Sequence, residues 1–337
     1  MRILISVVAA FLVGCAGPKP PEPEKPAAAP ALKVEMADAG LNKIVPAGAV
    51  YEKLGGGFDF TEGPVWAKAG GYLLFSDIPR NTIYKWAPGA AATEFRKPSG
   101  YDGNDAPAGA FIGSNGLTFD KEGRLIICQH GNGRVVRVEA DGKLTVLAEK
   151  FEGKRLNSPN DAVYKSDGSL YFTDPPYGFP KLDEDPKKEL KFNGVYRLAG
   201  GKLTLLYKEL LRPNGIAFSP DEKSIYIGNS DEKRKIWMKF DVTADGGIAN
   251  GKIFHDATGD TCDGLPDGLK VDKEGNVYAT GPGGIHVFNA DGKLLGRLVF
   301  PETPANLHWG DADGKTLYVT ARTGLYKTRL EIEGIRP

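Results

Sequence analysis

Six residues that carry side-chain oxygen stand at the heads of six similar short segments. They are Glu62 in EGPVW, Asn115 in NGLTF, Asn160 in NDAVY, Asn214 in NGIAF, Asp267 in DGLKV and Asn306 in NLHW, spaced 53, 45, 54, 53 and 39 residues apart. Two are carboxylates and four are carboxamides; none offers sulfur or imidazole. If they meet, the set suits a hard divalent cation, Ca²⁺ first, then Mg²⁺ or Mn²⁺. Two formal negative charges would cancel such an ion. Without it, two carboxylates on one axis repel and one pKa rises. Asn-Gly and Asp-Gly are common turn pairs, so each residue alone reads as turn chemistry. Six in register read as a ring, either catalytic or a purely structural staple.

What would bring them together is a repeat. Each head is followed by a short apolar run and a Gly/Asp-rich turn such as DKEGR, KSDGS or DADGK. A second run comes next (YLLFSD, LIICQH, LYFTD, IYIGNS, VYATG, LYVTA), then a third (TIYKW, RVVRVE, GVYRL, KIWMKF, GIHVF, GLYKTRL). Some copies show a fourth, as in KLTVLA and KLTLLY. The runs are β-branched and aromatic, and 44 of the 337 residues are Gly, which fits many tight turns. An all-β, six-bladed β-propeller follows. The last copy lacks a fourth strand, and VYEKL at residues 50–54 is predicted to supply it and close the ring. The propeller is expected to span residues 49–331, with 332–337 as a tail.

In a propeller the first strands line the axis and the second strands end on the same face. Those ends carry Asp77, His130, Asp174 and Asn229, a second polar tier. His130 is a candidate catalytic residue because imidazole moves protons near neutral pH. Asp174 is a candidate substrate contact. His255, His286 and His308 read as structural. The stretch after Asp174, PPYGFPKLDEDPKKEL, is long enough to cover the mouth as a lid. There is no G-x-S-x-G elbow, which argues against a serine esterase.

Lys and Arg (43) balance Asp and Glu (43), so nucleic acid is not the expected partner. No internal run reaches the ~18 apolar residues of a membrane span. At the front, Arg2, the apolar run Ile3–Val13 and the tetrad Leu12-Val13-Gly14-Cys15 have the layout of an export signal over residues 1–14. The tetrad looks like a bacterial lipobox, which implies cleavage before Cys15 and lipidation of its thiol. Ala16 in the next position favours the outer membrane, facing the periplasm, with the lipid anchor as the sole membrane contact. Residues 15–48 then read as a Pro/Ala-rich tether. Cys128 lies in an apolar run and reads as a buried free thiol, although the sequence leaves its pairing with Cys262 open.

The motifs FTEGPVW, LLFSDIP, SNGLTFD, QHGNGRV, RLNSPNDAV, LYFTDPPYG, RPNGIAFS and PDGLKVDKEGNVYATGPGG resemble the gluconolactonase/regucalcin family of six-bladed propellers. The resemblance runs from about residue 50 to 330. It implies one divalent cation, Ca²⁺ with Zn²⁺, Mg²⁺ or Mn²⁺ as alternatives, held by Glu62, Asn160, Asn214 and Asp267. It also implies that Asp267 accepts and donates the proton. The expected activity is metal-dependent lactone hydrolysis, a carboxylic ester hydrolase reaction on a small-molecule lactone. Asn115, Asn160, Asn306 and Asp174 would contact substrate, and His130 would share the proton transfer. One departure is Ser158, where animal members carry an Arg that meets the sugar. Phosphotriester hydrolysis on the same ring, and a surface-tethered binding propeller without catalysis, are the alternatives.

Overall fold

The computed structural model describes residues 29–336. Expectations for the signal segment, Cys15 and the tether as far as residue 28 lie outside that range.

Six antiparallel blades follow one another along the chain, five of four strands and one of five. Blade 1 comprises Thr61–Ala67, Tyr72–Asp77, Thr82–Trp86 and Thr93–Arg96. The first strands of blades 2 to 6 are Ser114–Phe119, Ala162–Tyr164, Pro213–Phe218, Leu269–Val271 and Pro304–Gly310. Blade 6 is completed by Tyr51–Gly56, which pairs antiparallel with Gly324–Arg329. The N-terminal strand therefore closes the ring.

Second strands are buried on both faces because each blade is sandwiched between two others; all five residues of Leu125–Gln129 are inaccessible. Outer strands face water, as in TEFR at Thr93–Arg96. The apolar core is accordingly split into six clusters, one per blade interface. Val65, Leu74 and Ile83 of blade 1 meet Leu117, Ile127 and Val136 of blade 2. Blade 1 meets blade 6 through Trp66 stacked on Tyr318, ring centroids 5.2 Å apart.

The fold begins earlier than residue 49. Lys33–Met36 adds a fifth strand to the outer edge of blade 5, paired with Leu294–Val299. A 3₁₀ turn at Ala39–Lys43 then inserts Leu41 (0% exposed), and Ile44 (2%) follows it, into the core between blades 5 and 6. The tether expected over 15–48 is thus corrected from about residue 30 onward: two buried side chains are enough to hold a segment that belongs to no repeat. The expected tail at 332–337 is also docked. Ile332 joins the same core, and the Ile335 amide donates to the Val271 carbonyl at 3.0 Å.

Candidate functional site

Each ring residue sits where the ladder of its blade breaks. In blade 1 the register shifts between Glu62 and Val65, in blade 2 between Ser114 and Leu117, in blade 4 between Pro213 and Ile216, and in blade 6 between Pro304 and Asn306. In blades 3 and 5 the strand starts only after Asn160 and Asp267. A bulge re-aims a side chain out of the pleat, and here every one falls at the head of an axial strand.

The six heads form a closed circuit. Asn115 lies so close to blade 1 that a Cβ on Gly63 (φ 51°) would fall 2.0 Å from its carbonyl oxygen. Gly116 N donates to Asn160 O at 2.7 Å, and Thr173 Oγ1 donates to Asn214 O at 2.8 Å. A Cβ on Gly215 would lie 2.3 Å from Asp267 O. Gly268 N donates to Ala305 O at 2.8 Å, beside Asn306. Asn306 Nδ2 finally donates to Glu62 Oε2 at 3.0 Å and returns the circuit to blade 1. The geometry unites all six sequence-derived ring positions.

Their environment favours a cation. Glu62, Asn115, Asn160 and Asn214 are each no more than 4% exposed. Asn115 Oδ1, Asn214 Oδ1 and Asp267 Oδ1 are buried and have no hydrogen-bond partner in the protein. Burial pushes Glu62 up to about 7; the Gly63 amide and Asn306 oppose this, and Asp161 adds to it. Burial also pushes Asp267 well above the carboxylate range, followed by the charge of Glu62 and then that of Asp161. Three orphaned oxygens and two carboxyls driven toward their protonated forms are what a hard divalent ion relieves. Among the described residues no three His, Cys, Asp or Glu side chains gather to hold a metal; the ring has two carboxylates, and carboxamides make up the rest.

Asn306, expected to contact substrate, is committed to the protein. Besides Glu62, it accepts from Leu307 N through Oδ1 at 2.8 Å, so it positions the Glu62 carboxylate. Asp174 is engaged through one oxygen only, and its buried Oδ1 has no partner in the protein. It is 0% exposed, and its Oδ2 accepts from Asn157 N at 2.8 Å. Burial pushes it up to about 7. The equivalent Asp77 accepts from the amides of Asp59 and Phe60, and Asn229 Oδ1 accepts from Arg212 N. This second tier pins the loops that feed each first strand. His130 is fully buried against Gly113, and both ring nitrogens lack partners. Burial lowers its pKa to about 4, so it is neutral at pH 7.

The hydroxyls one step from those strand ends are features that sequence reasoning missed. Ser76 Oγ donates to Asn115 O at 2.8 Å, Thr173 Oγ1 to Asn214 O, Thr280 Oγ1 to Ala305 O at 2.9 Å, and Ser230 Oγ to Pro266 O. Each reaches from one blade to the ring segment of the next. Asn214 Nδ2 donates to Ser230 Oγ at 2.8 Å, which fixes that carboxamide and leaves its Oδ1 without a partner.

The segment after Asp174 is packed as a lid. Phe179 and Leu190 are buried, and Ser158 Oγ accepts from Gly178 N at 2.8 Å. Ser158 thus latches the lid at the position where the family resemblance placed an arginine. Lys187 reaches Asp105 of the facing loop at 3.4 Å. Tyr177 of the same segment lies near Asp267: burial, then the Asp267 carboxylate, push its phenol pKa well up.

Against known proteins, a family model described as SMP-30/Gluconolactonase/LRE-like region matches residues 60–323. The gluconolactonase of Zymomonas mobilis is 37% identical over 313 residues, 90% of this chain and 87% of that protein. Diisopropyl-fluorophosphatase of Loligo vulgaris is 29% identical over 193 residues, 54% of this chain and 60% of that protein. The solved structure of XC5397, a gluconolactonase from Xanthomonas campestris, superposes with a TM-score of 0.78 at 30% identity, covering 92% of this chain and 98% of its own.

Proposed function

Because the chain belongs to the SMP-30/gluconolactonase/LRE-like family, we propose that it is a lactonase that opens sugar lactones at the axial ring and works with one divalent cation, Ca²⁺ first. The observation that carries the reading is the pair of orphaned oxygens on Asn214 and Asp267 beside the raised carboxyl of Glu62. Glu62, Asn160, Asn214 and Asp267 are the residues that would hold the ion. When bound, a divalent cation supplies the positive charge that polarises the ester carbonyl and favours an oxyanion there.

The protein's own groups do the rest. Asp267 takes a proton from water on its other carboxylate oxygen, Oδ2, as the water oxygen attacks the carbonyl carbon. It returns that proton to the ring oxygen as the acyl C–O bond breaks, leaving a hydroxy acid. Asn306 fixes Glu62, and Asn115 Oδ1 is free to accept a substrate hydroxyl. Tyr177 and the lid restrict water at the mouth. His130 is neutral and buried and has no imidazolium proton to give.

Rates measured by pH-stat on glucono-δ-lactone, a pentono-γ-lactone and diisopropyl fluorophosphate test the reading. Turnover of the lactones with little on the phosphorus substrate is expected. The reverse preference would make the chain a phosphotriesterase, a reading supported by its similarity to the Loligo enzyme. No turnover of any of them would leave a binding propeller. We also propose export as an outer-membrane lipoprotein anchored through Cys15, supported by Arg2, the apolar run and the LVGC tetrad.

A further inference from the structure

A cavity lies at the far ends of several first strands, and we propose that it binds a small aromatic carboxylate whose anionic head meets Lys270. The cavity measures about 440 Å³, within the range of small-molecule sites. It is walled by the far ends of the first strands of blades 2, 3 and 4 and by the turns that follow them. Asn115 and Phe119 stand four residues apart on one strand, about 13 Å at the rise of a β-strand. The aromatic end of the cavity therefore lies away from the ring, while Lys270 stands three residues from Asp267 at its inner end.

Phe119, Tyr164 and Phe218, one from each of three successive blades, line it, together with Ile335 of the docked C-terminal segment. These walls suit a flat apolar body. Basic lining side chains outnumber acidic ones by two to one. The arginines at its rim are already engaged: Arg124 Nε with Asp120 at 2.7 Å, and Arg137 with Glu139 at 2.7 Å. Lys270 is different. Its ammonium has three protons and two acceptors, Leu269 O at 3.0 Å and Asp161 Oδ2 at a long 3.3 Å. One donor is left for a ligand, in a site where the Lys270 side chain is only 18% exposed. A metal ion is disfavoured by that same ammonium. An anion on an aromatic ring satisfies both the free donor and the apolar walls.

The test is calorimetric titration of the full chain with 2-naphthoate, 2-naphthylmethanol and 2-naphthylmethylammonium. Naphthoate is expected to bind one per chain, at least about tenfold tighter than the alcohol, a gap of about 1.4 kcal/mol, with the ammonium weakest. Lys270→Met should remove that advantage and leave the alcohol unchanged. Ile335→Glu, a change at an exposed position, should weaken naphthoate alone if Lys270→Met fails to fold. Asp267→Asn should bind naphthoate as the parent does. Equal affinity for the three probes, no naphthoate binding, an unchanged Lys270→Met, or loss of binding in Asp267→Asn would each overturn the proposal. The last outcome would place the ligand in the ring. Lactone turnover can fail or succeed independently of all of these.

Discussion

Glu62, which is buried, and the half-buried Asp267 form a pair that is costly to ionise without a partner cation. Asp267→Asn is expected to cut lactone turnover by at least about a hundredfold while leaving the melting temperature at or above that of the parent, because it removes a like charge. Circular dichroism melts and pH-stat rates on one preparation check both halves. The pair also fixes a pH dependence. Glu62 moves from 4.5 to about 7 on folding, so the folded chain holds a proton that the unfolded chain has lost between those values. Its contribution to stability is complete below pH 4.5 and is lost as pH rises through 7. Asp174 acts with the same sign, and His130, lowered to about 4, with the opposite one. Comparison with Glu62→Gln isolates the ring. Chelator-treated parent should lose more stability than Glu62→Gln between pH 5 and 8, and Ca²⁺ should raise the parent's melting temperature more at pH 8 than at pH 5.5. A calcium shift independent of pH would count against a carboxylate site.

At the scale of the element, the bulge and the glycine after it set the ring's diameter. Gly63→Ala places a methyl 2.0 Å from Asn115 O, on a backbone with φ 51°. It should cost about 2–4 kcal/mol in urea unfolding and lower turnover as well. The ring positions were legible in the sequence because oxygen-bearing heads recur at blade spacing. Their supports were not. Asp77 and Asp174 look like mouth carboxylates along a line of sequence, yet both accept amide N–H groups from loops about 17 residues upstream in the chain. The hydroxyls of Ser76, Thr173, Ser230 and Thr280 look incidental, yet they tie blade to blade. Which neighbour an end residue meets is decided by packing between blades, and that carries no local signal. Ser230→Ala should loosen Asn214 and weaken Ca²⁺ binding by several-fold in calorimetric titration, with a smaller change in stability.

For the whole molecule, strand count and closure could be read from the repeat alone, since Tyr51–Gly56 was needed to complete blade 6. The fifth strand of blade 5 could not, because KVEM follows a Pro/Ala-rich stretch and belongs to no copy. Its importance is measurable: Leu41→Ala should cost about 2–5 kcal/mol, whereas a dispensable tether would lose nothing. In the producing cell, labelled palmitate is expected on the wild-type chain and absent from Cys15→Ser, which should move from the membrane fraction to the soluble one. Stability, anchoring and chemistry are then separable, and under the proposed reading the chemistry would rest on one ion held by four blades. The most direct test strips the purified chain with chelator, then follows bound calcium and glucono-δ-lactone turnover in the same sample as Ca²⁺ is restored. Activity should vanish on stripping and return in proportion to occupancy, levelling at one ion per chain. Undiminished turnover by the stripped chain would contradict the account.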